Sequence, residues 1–429
     1  MARRRVLVLN QYYRPGVEAT ANLLADLCES LTPDYDVTVV TGRLHDRPLP
    51  YDEWVNGVLV VRTRSTAFDR SRLHHRTANY VTYLADSLFR GLSVRRPDLV
   101  ICMTDPPVVG DLGLVVARRF GVPLLVISQD VFPEIATELG RLSNPAVVGA
   151  LRHLVRFYLA RADRVVAIGD RMRDRLVAKG ASPDRIAVIP NWIDTQFLTP
   201  RPRVNAWAIE NGLADAFVVM HSGNVGHAQN LDNLVVATTY LRDLPDLRVP
   251  IAGFGARSSE IHQLVERLEA DAVSFLAYQP RETLPESLSA AHLHYVGLAR
   301  GLSGFVVPSR LYGILAAGRP VIVAADADSE TARLVAEVDC GIVLPPDRPD
   351  LLAVAIRDAH AGALDLEEMG RRGRAYVEAE ADRLVALRRY RQLIEEMVRP
   401  SRRDGDPLLG EEPPVEPVDV VDEAGDRVP

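Results

Sequence analysis

Phe217-Val218-Val219-Met220-His221-Ser222-Gly223-Asn224-Val225-Gly226-His227 is the stretch that decides the fold. Its first four residues are apolar without alternation, the pattern of a strand covered on both faces, as in parallel sheets flanked by helices. His221 closes that strand, and a small polar loop with two glycines then opens a helix. Backbone N–H groups gathered at such a turn form a cradle for an anion. A flexible turn would have the same composition, so the loop gains meaning only from its surroundings.

The same unit recurs on both sides of it. Short runs rich in Val, Ile and Leu predict strands at 5–9, 36–41, 58–62, 99–103, 123–127, 164–168 and 186–189, and again at 217–221, 248–252, 273–276, 292–296, 320–324 and 341–343. Helical patterns separate them, so each half reads as a doubly wound α/β sheet. The break falls after Ile189-Pro190-Asn191-Trp192-Ile193-Asp194, because Thr199-Pro200-Arg201-Pro202-Arg203 is polar and Pro-interrupted, as linkers are. This gives an N-terminal domain over 1–195 and a second over 205–380, with a cleft between them. A helix over 381–398, with Leu384, Leu387, Tyr390, Leu393 and Ile394 at helical spacing, is expected to cross back to the first domain. The Pro-rich, acidic stretch 399–429 has no periodicity that could bury a face and reads as a disordered tail.

A chain of 429 residues, 47% hydrophobic and 25% charged, can bury two cores of ordinary size. Its net charge of -7 provides no field that would draw nucleic acid. Cys28, Cys102 and Cys340 are too scattered for a zinc site or a disulfide framework, which fits a reducing cytosol. The arginines at 3–5 precede an apolar run that lacks the cleavage site of a signal peptide and reads as the first strand. No run approaches the roughly 18 apolar residues of a spanning helix, so any membrane contact is expected to be peripheral.

Ligands of open α/β sheets sit beyond the carboxyl ends of the strands, so the strand-exit loops carry the candidates. The first, Gln11 to Gly16, brings Gly16 to a helix whose Val17, Ala21, Leu24 and Cys28 form a buried stripe. Gly16 would let an anion approach the backbone, or would simply make a turn. After the strand ending at Ile127, Asp130 is placed to meet a sugar hydroxyl or oxocarbenium-like charge, or to cap the next helix; at Gly169-Asp170 the cap is preferred. Gly253-Phe254-Gly255 is a third glycine loop, too short to weigh alone. Gly301-Leu302-Ser303-Gly304 leads through Pro308 and Ser309 to Arg310, whose guanidinium suits a diphosphate, although a surface arginine is the plainer alternative. Asp326 and Asp328 resemble a metal pair, but turns favour Asp, and no metal site is expected. Glu330 is the better candidate for accepting ribose hydroxyls, against a solvated loop acid.

At these residues the chain resembles glycosyltransferase family 4, in the branch that builds capsular, colanic-acid-like and O-antigen polysaccharides. The likeness covers nearly all of 1–398. It rests on Ile189 to Asp194, on Ser222-Gly223-Asn224, on Pro280 with Leu284-Pro285-Glu286-Ser287-Leu288, and on Pro308 to Tyr312 with Leu315-Ala316-Ala317-Gly318-Arg319-Pro320. It implies the GT-B fold, two Rossmann-like domains facing each other across a cleft. It further implies a retaining, metal-independent transferase without a cofactor, using a UDP- or GDP-linked sugar held mainly by the second domain. By that analogy Gly16 approaches the donor phosphate, Asn224 and Arg310 bind the diphosphate with Ser309 and Leu311 beside them, and Leu276 to Gln279 flank the nucleobase, with Tyr278 and Gln279 as donor-binding residues.

One departure matters. The family's pair of glutamates seven residues apart would fall at Phe305 and Gly313, neither acidic, and its cationic pair is replaced near Asn224 and Gln229. Glu330 and Arg310 are the expected substitutes, with Asp130 as a third catalytic candidate where many relatives have histidine at Gln129-Asp130. A silent sugar-nucleotide-binding protein, a GT-B epimerase and a metal-dependent GT-A enzyme are the rivals. On the acceptor side, Leu151, Leu154, Val155, Tyr158, Leu159 and Ala162 oppose Arg152, His153, Arg156 and Arg161, and Arg70 to Arg76 forms a second basic cluster. Both would suit the inner face of a cell membrane carrying a lipid-linked saccharide acceptor, although a face covering a core has the same pattern.

Overall fold

The computed structural model describes residues 3–16, 19–44, 49–66, 68 and 73–399. Val17, most of the basic cluster at 70–76 and the acidic tail from residue 400 lie outside the described residues.

Two sheets form. The first contains β1 (Arg4–Leu9), β2 (Tyr35–Thr41), β3 (Asp52–Val55), β4 (Val58–Arg62), β5 (Leu99–Cys102), β6 (Leu124–Ser128), β7 (Arg164–Ala167) and β8 (Ile186–Val188), in the order β3-β4-β2-β1-β5-β6-β7-β8. The second contains β9 (Phe217–Ser222), β10 (Leu247–Ala252), β11 (Val273–Leu276), β12 (Leu293–Gly297), β13 (Val321–Ala324) and β14 (Gly341–Leu344), ordered β11-β10-β9-β12-β13-β14. All neighbours pair parallel except β3 with β4. In each sheet the order reverses beside the first strand, at β1/β5 and at β9/β12, and such switch points open a crevice at the strand ends.

The apolar runs make these strands because both faces are covered: β5 and β6 are buried throughout, and so are β12 and β13. The antiparallel β3 is the one strand the sequence pattern missed. Asp52-Glu53-Trp54-Val55 is short, acidic and exposed at the sheet edge, with Trp54 70% exposed, so it lacks a buried run. Its signal was the two-residue turn Asn56-Gly57, both at positive φ, which reverses the chain into β4.

The helix Arg383–Val398 returns to the first domain, where Ala386, Leu387, Tyr390, Leu393 and Ile394 join the core beneath β1 and β2 and Tyr390 meets Trp192 edge to face at 5.7 Å. The two chain crossings between domains are stitched together. Ile193 N donates to Ala381 O and Arg383 N to Ile193 O, while Thr195 Oγ1 donates to Asp382 Oδ2 at 2.6 Å. Arg374 adds hydrogen bonds to the carbonyls of Thr195, Leu198 and Ala316. The helix Pro145–Leu159 covers core with Val148, Val155, Tyr158 and Leu159, whereas Leu154, expected in that stripe, faces solvent and Arg152 pairs with Glu134.

Because Tyr390 is fully enclosed, Tyr390→Ala should destabilise the N-terminal domain by about 3–4 kcal/mol, although the residue comes from the far end of the chain. Urea unfolding followed through Trp192 fluorescence measures this.

Candidate active site

The strand exits of the two sheets meet. The loop after β6 runs against the loop after β12, with Asp130 bridged antiparallel to Val306 and Val131 N donating to Phe305 O at 2.9 Å. One part of this seam is apolar, with Phe305 and Val307 packed among Val131, Ile168 and Met172 of the first domain. The polar part lies around Arg310.

Arg310 begins the helix Arg310–Ala316 and turns its guanidinium to the exit of β9, where Nη1 lies 3.3 Å from Nδ1 and 3.2 Å from Nε2 of the buried His221. Burial pulls its pKa down to about 10, which still leaves a cation at neutral pH. Among the described residues no carboxylate lies within ion-pair distance of it. His221 is kept neutral, first by burial and then by Arg310, and donates Nε2–H to Asn224 O. The charge faces the glycine loop directly, because a Cβ on Gly223 would stand 3.9 Å from Nη1. Gly223 and Gly253, both at positive φ, touch backbone to backbone: a Cβ on Gly253 would lie 2.0 Å from Gly223 O. The side chain of Asn224 is exposed at the same place, and Gln229 turns back to accept from Gly226 N.

The remaining expected donor residues are distributed unevenly. Ser309 is exposed beside Arg310, but the Leu311 side chain is buried in the second core, leaving only its backbone for a ligand. Tyr278 is exposed and meets Phe254 edge to face at 6.2 Å, an aromatic pair at the exits of β10 and β11 in which Phe254 was not foreseen. Gln279 has both ends of its amide engaged, by Trp207 Nε1 and Ala277 O. Gly16 N donates to Tyr13 O, so that amide is taken up within its own turn.

On the first domain, Asn10 Oδ1 accepts from Asp105 N and Thr20 Oγ1 donates to Asp105 Oδ2. Asp130 is not a helix cap: Pro133 occupies that position of the helix Glu134–Glu138. Its carboxyl is raised to about 7, by burial first and by Asp105 second. Gln129 is locked in a reciprocal amide pair with Asn191. Asp170 is not the cap of its helix either; it pairs with Arg173. The acceptor at that helix start is Glu330 from the other domain, whose Oε2 receives Arg171 N at 3.0 Å. Glu330 is thus held by protein where ribose was expected. Asp326, weighed as a metal ligand, accepts from Gly301 N.

Against known families, residues 16–192 match the glycosyl transferase 4-like domain and residues 206–376 the glycosyl transferases group 1 domain. The chain is a glycosyltransferase built of these two domains. This glycosyltransferase is 24% identical to a putative colanic acid biosynthesis glycosyl transferase, WcaI of Escherichia coli K12, over 90% of its own length and 98% of that protein's. It is 27% identical to the probable glycosyltransferase WbjE of Pseudomonas aeruginosa over 72% and 77%. Among solved structures it shares the GT-B fold with sucrose-phosphate synthase from Thermosynechococcus elongatus, at 18% identity and a TM-score of 0.77 over 92% of this chain and 99% of that one. It shares it also with Anabaena HepE in complex with UDP, at 15% identity and 0.70 over 91% and 100%. Among the described residues no helix is long and apolar enough to cross a membrane.

The raised Asp130 carboxyl has a consequence for stability. From its ordinary 3.8 up to about 7 the folded chain holds a proton that the unfolded chain has lost, so stability falls as pH rises through that window and is level above it. Asp130→Asn should remove this slope and gain about 2 kcal/mol at pH 8 relative to wild type, discounted for partial exposure. Urea titrations at pH 5 and pH 8 provide the comparison.

Proposed function

We propose that this glycosyltransferase is a retaining, metal-independent enzyme that moves a sugar from a UDP- or GDP-linked donor to a lipid-linked saccharide in cell-surface polysaccharide biosynthesis. The observation that carries the proposal is the Arg310 guanidinium, a half-buried cation with no carboxylate partner among the described residues, set against the backbone of the Gly223 loop. A buried charge without a counterion is costly, and a diphosphate is a natural counterion at a strand exit.

As the sugar leaves, negative charge grows on the diphosphate oxygen, and a fixed guanidinium with nearby amides stabilises it without solvent reorganisation. That is the part a divalent cation plays in other transferases. Asn224 and Ser309 stand beside Arg310 as further donors, and Tyr278 with Phe254 offers aromatic faces for a base. The UDP in the HepE structures supports a uridine donor, and the names of WcaI and WbjE support an assembly role over the silent-binder and epimerase readings. Asp130, bridged to the second domain, lies at the first domain's wall of the crevice, where its ionised form would oppose positive charge developing on the sugar.

Arg310→Ala should lower kcat/KM for sugar transfer by about 100- to 1,000-fold, and Arg310→Lys should recover little, since an ammonium lacks the planar fork. The assay is product formation from UDP- and GDP-sugars in the presence of a chelator, with the anomeric configuration read by NMR. An Arg310→Ala enzyme with full activity, or an inverted product, would count against the mechanism.

Peripheral attachment belongs to the same proposal, since the helix Pro145–Leu159 exposes Val147 and Leu154. Co-sedimentation with liposomes should increase with anionic lipid and fall with salt; indifference to both would exclude it.

A further inference from the structure

The turn between β13 and the helix Glu330–Val338 reaches across the seam and takes hold of the first domain. Glu330 Oε2 accepts the hydrogen bond of Arg171 N, and Asp328 O accepts that of Arg171 Nε at 3.2 Å. Arg171 lies in the first turn of the helix Asp170–Ala178, whose N-cap residue is Gly169 with no side chain of its own to offer. One turn further on, Arg175 donates from Nε to Ser303 O and lays its guanidinium over the Phe305 ring at 4.5 Å. One face of a nine-residue helix therefore receives both loops of the second domain that flank the candidate site.

We infer that Glu330 is a positioning residue that registers the two domains by capping the helix Asp170–Ala178 from across the cleft, and that Gly169 is glycine to admit it. The inference rests on the transferase reading, because registration matters to a reaction carried out between the domains. A Cβ on Gly169 would lie 2.4 Å from Glu330 Cδ and 2.7 Å from Oε2, so any other residue there pushes the carboxylate off the helix. Gly169 has an extended φ of -176°, a conformation open to every residue, so its backbone does not require glycine. The space does. The free amides of a helix start favour a carboxylate, and here that carboxylate belongs to the other domain.

The clasp is rigidly tied to the site. Asp326 Oδ2 accepts from Gly301 N and Ser329 caps the helix that begins with Glu330, which joins the clasp turn to the loop leading to Arg310. That loop bonds in turn to Val131, next to Asp130. With Glu330 seated, Arg310 and Asp130 keep one separation, and a donor between them is shielded from water.

The test compares the full chain with Gly169→Ala, Glu330→Ala and Glu330→Gln. Transfer kcat should fall about tenfold in the two alanine variants with donor KM changed less than about threefold, and the share of donor lost to hydrolysis should rise in both. Glu330→Gln, which keeps an acceptor oxygen, should restore most of the rate. Small-angle scattering should show a larger radius of gyration for both alanine variants. The inference is overturned if Glu330→Ala weakens donor binding as much as it slows transfer while Gly169→Ala behaves as wild type, which would make Glu330 a ribose ligand. If wild type turns over no donor, the transferase reading fails by itself. Scattering still decides the clasp, since an unchanged radius of gyration in both alanine variants overturns it.

Discussion

The site depends on one unneutralised charge. Taking a guanidinium partly out of water without a carboxylate disfavours the folded state, and the chain tolerates it by surrounding Arg310 with groups that neither neutralise nor repel it. His221 is the important neighbour. An imidazolium at 3.2 Å would expel the guanidinium, but burial and the guanidinium's own charge hold the ring neutral, against the opposing pull of the hydrogen bond to Asn224 O. The two glycine loops complete the arrangement. Gly223 and Gly253 bring two strand exits into backbone contact, and no side chain fills the space that an anion would occupy beside the cation.

Much of the fold was legible in the sequence because strands covered on both faces, such as β5, β6 and β13, carry unbroken apolar runs, and all the described strands but β3 are rich enough in apolar residues to be read. β3 escaped because an exposed edge strand has no such run, and its only mark was a turn dipeptide. The candidate site was legible where chemistry is local: Arg310, Asn224, Ser309 and the glycine loop all sit at exits of strands that could be read directly. It was illegible where a contact spans long sequence distances. Asp170 resembled a cap by its position before a helix, yet the acceptor is Glu330, 159 residues from the amide it receives. Leu311 and Gln279 stand in the right motifs, but one side chain faces the core and the other has both amide ends taken. Motif position fixes the backbone more firmly than the direction of the side chain.

Phe305 shows how replacing one acid redirects a whole loop. The resemblance to glycosyltransferase family 4 implies a glutamate at that position. An apolar ring cannot remain in a polar crevice without loss, and here it turns into the first domain's core beneath Arg175. The loop then forms a backbone bond to Val131, and Glu330, the expected substitute for that glutamate, is drawn to the same interface. Both side chains are engaged in contacts between the domains, and on the proposed mechanism the leaving group's charge falls to Arg310.

This exchange has a mechanical counterpart at the chain crossings. The first crossing, at Ile193 to Leu198, and the return, at Ala381 to Arg383, are bonded to each other through backbone and through Thr195 with Asp382, and Arg374 ties the first crossing to the second domain through the carbonyls of Thr195 and Leu198. Paired crossings resist sliding and twisting far more than rotation about their common line, because sliding breaks all these bonds together. Motion of one domain over the other is then reduced to opening and closing. On the inference drawn above, the contacts of Glu330, Asp328 and Ser303 with the helix Asp170–Ala178 then set how closely Arg310 and Asp130 face each other.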